Sequence, residues 1–295
     1  MAMDPEELFE VDSDVPDLSG SVLLQHFSGF VDAGSAGSTL VDHLLENNEH
    51  RVVARFDVDD LIDYRARRPA MTFATDQWES FDAPELVVHL LHDAIGTPFL
   101  LLTGPEPDRR WEAVTAAVRS LVERWGVRLT VSFHGIPMGV PHTRPLAVIS
   151  HATRPQLVTE KSPFNRLQVP GNLSALLELR LGQAGHDAVG FAAFVPHYLA
   201  QSTYPTATVG LVDAITKSTG LSIEASALHA AAQRTDAEIT RQVAESEEVT
   251  EVVEALERQY DTFTSTSQNL LIQEGDPVPT ADELAAEFER YLSEQ

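Results

Sequence analysis

Short apolar runs that end near glycine or proline alternate along this chain with segments of helical periodicity, and this alternation restricts the possible folds more than any other feature. After the run at residues 21–27, for example, Leu40, Val41 and Leu44 recur at the spacing of one helix face. The other apolar runs are residues 51–58, 98–103, 127–133, 146–150 and 188–195. Parallel strands need long crossover connections, which intervening helices supply. The pattern therefore predicts an α/β fold with a three-layer αβα core and a mainly parallel sheet.

The composition changes at both ends of the predicted core domain, which we place at residues 18–233. Residues 1–17 contain seven acidic side chains and no basic one. A segment this rich in acidic side chains has too little apolar surface to offset the entropy lost when a chain becomes ordered. We therefore predict a disordered acidic tail there. In residues 234–295 the background is acidic, and the few apolar side chains recur at helical spacing. This pattern predicts a C-terminal helical subdomain.

Two capping boxes divide the C-terminal subdomain. The first, Thr235 with Glu238, predicts the start of a long amphipathic helix. Residues 261–275 then predict a polar linker, and the second box, which begins at Thr280, predicts the start of a last helix. The apolar face of the long helix must be buried, either on its own core or on a partner. Its candidate partner-binding residues are Ile239, Val243, Val252, Leu256 and Tyr260.

Charge and cysteine content exclude several classes of function. The 295 residues include 20 Lys and Arg against 45 Asp and Glu, a formal net charge of −25, which repels nucleic acid and anionic membranes. There is no cysteine, which excludes disulfides, thiolate metal sites and cysteine nucleophiles. The sequence begins with acidic residues rather than the basic and apolar residues of a signal peptide. We therefore expect a cytoplasmic protein that binds neither nucleic acid nor membrane.

The glycine-rich segment at residues 29–37, GFVDAGSAG, admits two interpretations. Backbone N–H groups at the start of a helix suit an anion, so the segment is compatible with a phosphate site. It matches neither nucleotide-binding fingerprint, however, and contains no lysine for a phosphate. A tight turn between a strand and a helix, with Asp32 capping the helix, is the favoured interpretation.

Several other polar or glycine residues also follow apolar runs. The carboxyl ends of parallel strands share one edge of a sheet, where open α/β folds bind ligands. We therefore predict that these residues lie along one rim. The candidate ligand-binding residues are Gly29, Asp32, Gly34, Gly104, His134, Gly135, His197 and Tyr198. Asp32 with a histidine would form an acid–base pair, but no nucleophile elbow accompanies it, and we assign no catalytic residue, metal or cofactor.

The ordered set of loop motifs resembles the proteasome assembly chaperone 2 family, in its actinobacterial branch. The matching segments are residues 29–34, 63–69, 135–145, 169–173, 195–199 and 204–205. The resemblance implies a nucleoside-phosphorylase-like αβα core with C-terminal helices, no established enzyme activity, and a role in assembly with a proteasome-related protein partner. It also implies a homo-oligomer, for which we expect a ring or trimer.

The C-terminal residues depart from the pattern of that family. Some relatives dock through a C-terminal hydrophobic-tyrosine-X tail, whereas Tyr291 is not the penultimate residue here. An alternative function also stays open: an enzyme or sensor that binds a nucleoside-like or phosphate-like molecule at the rim.

Overall fold

A mixed eight-stranded sheet forms the centre of the fold in a computed structural model that describes residues 4–158 and 166–270. The strands within these residues are β1 (Phe9–Val11), β2 (Val22–Ser28), β3 (His50–Phe56), β4 (Met71–Ala74), β5 (Gln77–Phe81), β6 (Val87–His92), β7 (Pro98–Pro105), β8 (Leu129–Met138), β9 (Val148–Ala152) and β10 (Ala188–Pro196). The large sheet has the order β1-β3-β6-β7-β2-β8-β10-β9, and β4 pairs only with β5.

The centre of the sheet is parallel and its margins are antiparallel. β7, β2, β8 and β10 are parallel neighbours. The pairs β1–β3, β3–β6 and β6–β7 on one side of the sheet are antiparallel, and so is the pair β10–β9 on the other side. Five of the eight strands consequently point the same way. The predicted three-layer αβα core with a mainly parallel sheet is confirmed.

Helices cover both faces of the sheet. The α-helices in the described part of the chain are α1 (Ala36–Asn47), α2 (Trp111–Trp125), α3 (Leu173–Gln183), α4 (Pro205–Thr219), α5 (Ser226–Ala244) and α6 (Glu247–Leu270). The apolar residues of α1 and α4 form one buried cluster with one face of the sheet, and those of α2 and α3 form a second cluster with the other face. α5 packs on α4, and α6 packs on α5.

The central strand β2 shows why an unbroken apolar run marks the core. Every residue from Val22 to Phe27 is buried because helices cover both faces of the strand. Leu23 and Phe27 belong to the cluster beneath α2 and α3, whereas Val22 and Leu24 belong to the cluster beneath α1 and α4. Successive side chains thus alternate between the two layers.

The N-terminal residues differ from the disordered tail predicted for residues 1–17. Residues 5–8 form a 3₁₀ helix capped by Asp4, and β1 then pairs antiparallel with β3. Leu8 is fully buried and Phe9 nearly so. The prediction of disorder rested on the average composition of the segment, which is acidic. The two adjacent apolar side chains of Leu8 and Phe9 are nevertheless enough to anchor the middle of the segment on the edge of the sheet.

The helical part of the C-terminal region also differs from its predicted boundaries. α5 crosses the predicted domain boundary at residue 234, and Thr235 lies in its interior rather than at its start. α6 then continues to Leu270, through the first ten residues of the predicted linker. The predicted helix after Thr280 lies outside the described residues. Across residues 4–158 and 166–270, none of the helices combines the length and the apolarity required to cross a membrane.

Candidate functional site

The loop between β2 and α1 is a turn, and the backbone N–H groups at the start of α1 already have a hydrogen-bond acceptor in it. Asp32 Oδ1 accepts a hydrogen bond from the Gly37 N–H at 2.8 Å, and Oδ2 accepts one from the Ser38 N–H at 2.9 Å. The Ser38 hydroxyl donates to Oδ2 at 2.8 Å. A carboxylate of the chain itself therefore sits where a phosphate would have to bind, and Asp32 caps α1.

Asp32 also connects the loop to the sheet. Its Oδ1 accepts a hydrogen bond from the Gly135 N–H of β8 at 3.0 Å, and His26 Nε2 lies 3.9 Å from Oδ2. Burial opposes the charged carboxylate, but the neighbouring His26 and the three backbone N–H donors outweigh burial and lower the pKa of Asp32 below its ordinary value. The side chain is thus a charged, fully engaged structural group at neutral pH.

Two glycines of the rim allow main-chain segments to approach one another closely. A Cβ atom on Gly135 would lie 2.0 Å from the Ala33 carbonyl oxygen, and one on Gly104 would lie 2.2 Å from the Glu85 carbonyl oxygen. Both distances are far below any real contact of a Cβ atom. These positions require glycine because other backbone passes over them.

Gly34 links the glycine loop to the segment after β10. Its N–H donates to the Ala200 carbonyl at 3.0 Å, and its own carbonyl accepts from the Tyr204 N–H at 2.8 Å. Gly34 adopts φ +69°, in the region that favours glycine. Gly29, with φ +113°, lies beside Arg67, which donates to the Glu106 carbonyl oxygen and to Asp108.

His134 is not the histidine that lies directly beside Asp32. β8 continues through His134 and Gly135 to Met138 rather than breaking there, and alternation directs His134 to the face beneath α3. Burial lowers the pKa of His134 to about 4, and His151 adds repulsion against its charged form. The histidine nearest Asp32 is His26 of β2, a residue that sequence reasoning missed because nothing distinguishes it from the rest of its buried strand.

His197 and Tyr198 lie at the end of β10, as predicted, but only Tyr198 engages the neighbouring loop. The His142 N–H donates to the Tyr198 hydroxyl oxygen at 2.8 Å, and His142 Nδ1 is also 2.8 Å from that oxygen. His197 is exposed and contacts the Tyr198 ring edge. His142 Nε2 is buried and has no hydrogen-bond partner among the described residues.

α6 lies over this end of the molecule. Arg144 forms a two-pronged ion pair with Asp261, at 2.8 and 2.7 Å, and its guanidinium also lies 3.2 Å from Glu257. The Tyr260 hydroxyl donates to the Pro145 carbonyl at 3.3 Å. The loop and the helix together enclose a space of about 10 Å³, which is no larger than one water molecule.

The predicted partner-binding residues are divided between the fold and the solvent. Ile239 packs against the core, and Val243, Leu256 and Tyr260 are half-buried. Val252 is 47% exposed. Most of this apolar face therefore folds back on its own chain, which was one of the two outcomes that the sequence left open.

A hairpin that the sequence analysis missed exposes several large apolar side chains. β4 and β5 pair with each other and lie outside the large sheet. Their apolar side chains are exposed, Trp78 to 64% and Phe73 to 54%, and the rings of these two residues pack edge to face. Met71 and Phe81 add to this surface. Period-two alternation in residues 71–74 was the available signal.

The arrangement at the rim is thus mainly structural. Gly29, Asp32, Gly34, Gly104 and Gly135 join loops to strand ends, whereas Tyr198 and His142 form a polar pair beneath the C-terminal helices. A larger cavity, about 450 Å³, lies near the opposite ends of β8 and β10, where Arg154 pairs with Asp187. Within residues 4–158 and 166–270, no group of three or more His, Asp and Glu side chains is placed to hold a metal ion.

Comparison with known proteins gives a consistent family. A family model described as "PAC2 family" matches residues 26–243. A solved Mycobacterium tuberculosis protein of unknown function is 44% identical, with 90% of this chain and 92% of that chain covered and a TM-score of 0.85. A Corynebacterium glutamicum protein of unknown function is 37% identical, with 88% and 99% covered and a TM-score of 0.83.

A more distant structure carries a functional description. It is a Mycobacterium tuberculosis proteasome-assembly chaperone homologue, 24% identical, with 79% of this chain and 99% of that chain covered and a TM-score of 0.70. That level of identity shows a shared fold. No curated protein sequence matches the chain.

Proposed function

This chain belongs to the PAC2 family, and we propose that it is a cytoplasmic, non-enzymatic assembly or interaction protein with a chaperone-like role linked to proteasome assembly. Support for the proteasome link comes from the fold that the chain shares with a proteasome-assembly chaperone homologue. Support for the absence of catalysis comes from the rim, where Asp32 and the glycines serve to join loops to strands.

The observation that carries the proposal is the apolar surface of the β4–β5 hairpin, formed by Met71, Phe73, Trp78 and Phe81. Each of these side chains is about half exposed or more, and none belongs to either buried cluster. Aromatic side chains on a projecting element are typical of the residues that dominate binding energy at protein interfaces. An interaction role explains why the chain keeps them in contact with solvent.

A second copy of this chain is the partner that fits the charges around the hairpin. Asp76, Glu79 and Asp82 are exposed along it, and Arg65 and Arg68 are exposed in the segment just before it. Within the parts of the chain that the structure describes, none of these five side chains forms an ion pair. The acidic hairpin of one copy can therefore contact the arginines of the next. Such a contact joins two different patches, and it forms a ring such as the expected trimer if the rotation from one copy to the next closes.

Replacing both Phe73 and Trp78 with serine is expected to weaken self-association by about 100-fold or more, because two exposed aromatic anchors are lost. Light scattering coupled to size-exclusion chromatography at micromolar concentration measures this as a shift towards the 32.3 kDa monomer. Ile95→Ser is the matched control, since Ile95 is 76% exposed but lies in the turn between β6 and β7. A wild-type protein that is already monomeric contradicts the oligomer.

The proteasome link is tested by a separate measurement. Tagged wild-type protein, expressed in its own organism, is expected to enrich proteasome subunits over the tag alone. The Phe73→Ser, Trp78→Ser double variant used as a second bait shows whether binding of these subunits needs the hairpin. If the wild-type bait enriches no proteasome subunit, the proteasome link is lost while the oligomer proposal stands on its own result.

A second candidate function rests on His142. Its buried Nε2 has no hydrogen-bond partner among the described residues, although its other ring nitrogen and its N–H both contact Tyr198. A buried polar atom of this kind favours a bound polar group. The alternative is thus an enzyme or sensor for a nucleoside-like or phosphate-like molecule at the rim.

A thermal-shift screen of nucleosides, nucleotides and sugar phosphates separates the two functions. A ligand present at 100 times its dissociation constant stabilises a protein by about 2.7 kcal/mol, and His142→Phe is expected to abolish that shift. If no compound shifts the melting temperature, or if the shift persists in His142→Phe, the rim site is rejected.

A further inference from the structure

The turn between β2 and α1 exposes two adjacent apolar side chains. Phe30 is 37% exposed and Val31 is 42% exposed, and both lie between the end of β2 and the start of α1. Neither side chain belongs to either buried cluster. Single apolar side chains are normal at any protein surface, whereas adjacent ones form a patch that a partner can cover.

Both flanks of this pair are fixed to the rest of the fold. On one side, Gly29 lies against Arg67, because a Cβ atom added to Gly29 would be 3.0 Å from Arg67 Nη1. On the other side, Asp32 accepts three backbone N–H hydrogen bonds, one of them from β8. The two apolar side chains are therefore held on a preorganised turn, which reduces the conformational entropy that binding costs.

Two arginines lie close to the pair. Arg65 and Arg68 are near neighbours of Arg67 in the sequence, and the contact between Arg67 and Gly29 places this segment against the turn. Arg65 and Arg68 are exposed, and neither forms an ion pair with any residue that the structure describes. Apolar side chains beside such guanidinium groups suit a partner that brings apolar rings together with carboxylates.

The β4–β5 hairpin carries this combination of groups. The rings of Phe73 and Trp78 form its apolar centre, and Asp76, Glu79 and Asp82 are exposed along it. Because Trp78 keeps 64% of its surface in contact with solvent, the hairpin does not pack on the turn of its own chain. The hairpin that fits the turn is therefore that of a second copy.

We propose that Phe30 and Val31, with Arg65 and Arg68 beside them, form the surface that receives the β4–β5 hairpin of a second copy of this chain. This inference rests on the proposed self-association and supplies the apolar partner of the hairpin. The hairpin rings pack on the apolar pair, and the hairpin carboxylates pair with the two guanidinium groups. Since the net charge of −25 makes copies of the chain repel one another, the two arginines provide the local attraction.

Replacing both Phe30 and Val31 with serine is expected to weaken self-association by about 10-fold or more, because the receiving surface loses its apolar contact. Sedimentation velocity over a concentration series measures the dissociation constant. Val249→Ser with Val252→Ser is the matched control, since these side chains are 42% and 47% exposed but lie on α6. The control should associate like the wild type. A turn variant that associates as tightly as the control overturns the proposal.

Mixing two association-deficient variants tests the contact itself. The variant of Phe30 and Val31 keeps an intact hairpin, and the Phe73→Ser, Trp78→Ser variant keeps an intact turn. Light scattering should therefore detect a 1:1 complex, with twice the 32.3 kDa mass of the monomer, in the mixture and in neither variant alone. If the mixture stays monomeric while the wild type forms oligomers, the receiving surface is wrong and the self-association stands. A monomeric wild type removes both.

Charge reversal tests the role of the arginines. Arg65→Glu with Arg68→Glu places carboxylates opposite the acidic hairpin and is expected to weaken self-association by about 10-fold or more. Glu79→Arg with Asp82→Arg restores opposite charges across the contact, so the mixture of these two double variants should associate where each alone does not. Arg258→Glu, on the exposed side of α6, is the control for net charge. A mixture that associates no better than its separate components contradicts the pairing of the arginines with the hairpin.

Discussion

Gly135→Ala is expected to destabilise the protein by about 3 kcal/mol or more, although it adds a single methyl group. The new Cβ atom would lie 2.0 Å from the Ala33 carbonyl oxygen and 3.2 Å from the Ala36 side chain. The oxygen belongs to the backbone of the turn just before α1, so it cannot rotate away as a side chain would. Relief requires the loop to move off β8, which also breaks the 3.0 Å hydrogen bond from the Gly135 N–H to Asp32.

Urea denaturation followed by circular dichroism measures this loss. Gly139→Ala is the matched control, because Gly139 lies on the same segment, has no atom within 4 Å of an added Cβ and adopts no positive φ. The control should stay within about 0.5 kcal/mol of wild type. If Gly135→Ala is as stable as Gly139→Ala, the close approach of the glycine loop to β8 is wrong.

Asp32→Ala is expected to cost about 2–3 kcal/mol, because it removes a helix cap and leaves buried donors without an acceptor. The affected donors are the N–H groups of Gly37, Ser38 and Gly135. Asp32→Asn keeps one acceptor oxygen and should recover part of the loss. Asp42→Ala changes an exposed carboxylate of α1 and serves as the control for charge alone.

The contribution of Asp32 should also depend on pH. Its pKa is lowered in the folded protein, so its stabilisation is fully present above the ordinary aspartate value and is lost as pH falls through the lower, folded value. The stability difference between wild type and Asp32→Asn should therefore shrink on acidification below about pH 4. A difference that is constant from pH 7 to pH 3 contradicts a charged Asp32 in the fold.

The parallel centre of the sheet was predictable because its strands are buried on both faces and read as continuous apolar runs. β6 escaped prediction because His89 and His92 interrupt its apolar pattern. The β4–β5 hairpin turns at Thr75 and Asp76, without the glycine that marks most short hairpins, and Thr75 adopts the positive φ instead. Local patterns thus predict strands that have an unbroken apolar run and miss those that lack one, whether buried, as β6 is, or exposed, as β4 and β5 are.

The candidate site was predictable in its position and not in its contacts. The carboxyl ends of the parallel strands do collect the glycine loop, Gly135 and Tyr198 at one rim. Which side chains meet depends on the face that each occupies and on main-chain approaches between distant residues. The Ala33 main chain over Gly135 is an approach of this kind, and the His151 ring over Gly190 is its side-chain counterpart; no periodicity in the sequence encodes either.

The strand order has a consequence for how the chain is made. β2 lies between β7 and β8, so Leu24 finds its cross-strand neighbours only in Leu101 and Val131. β2 leaves the ribosome before β7 and β8 have been synthesised. Its apolar side chains are then exposed without the two strands that will flank them. Topologies with such distant pairings form slowly and expose nascent chains to misassembly. A protein proposed to help others assemble is thus itself expected to need chaperones during translation, and its yield in a heterologous host should improve when synthesis is slowed by cooling.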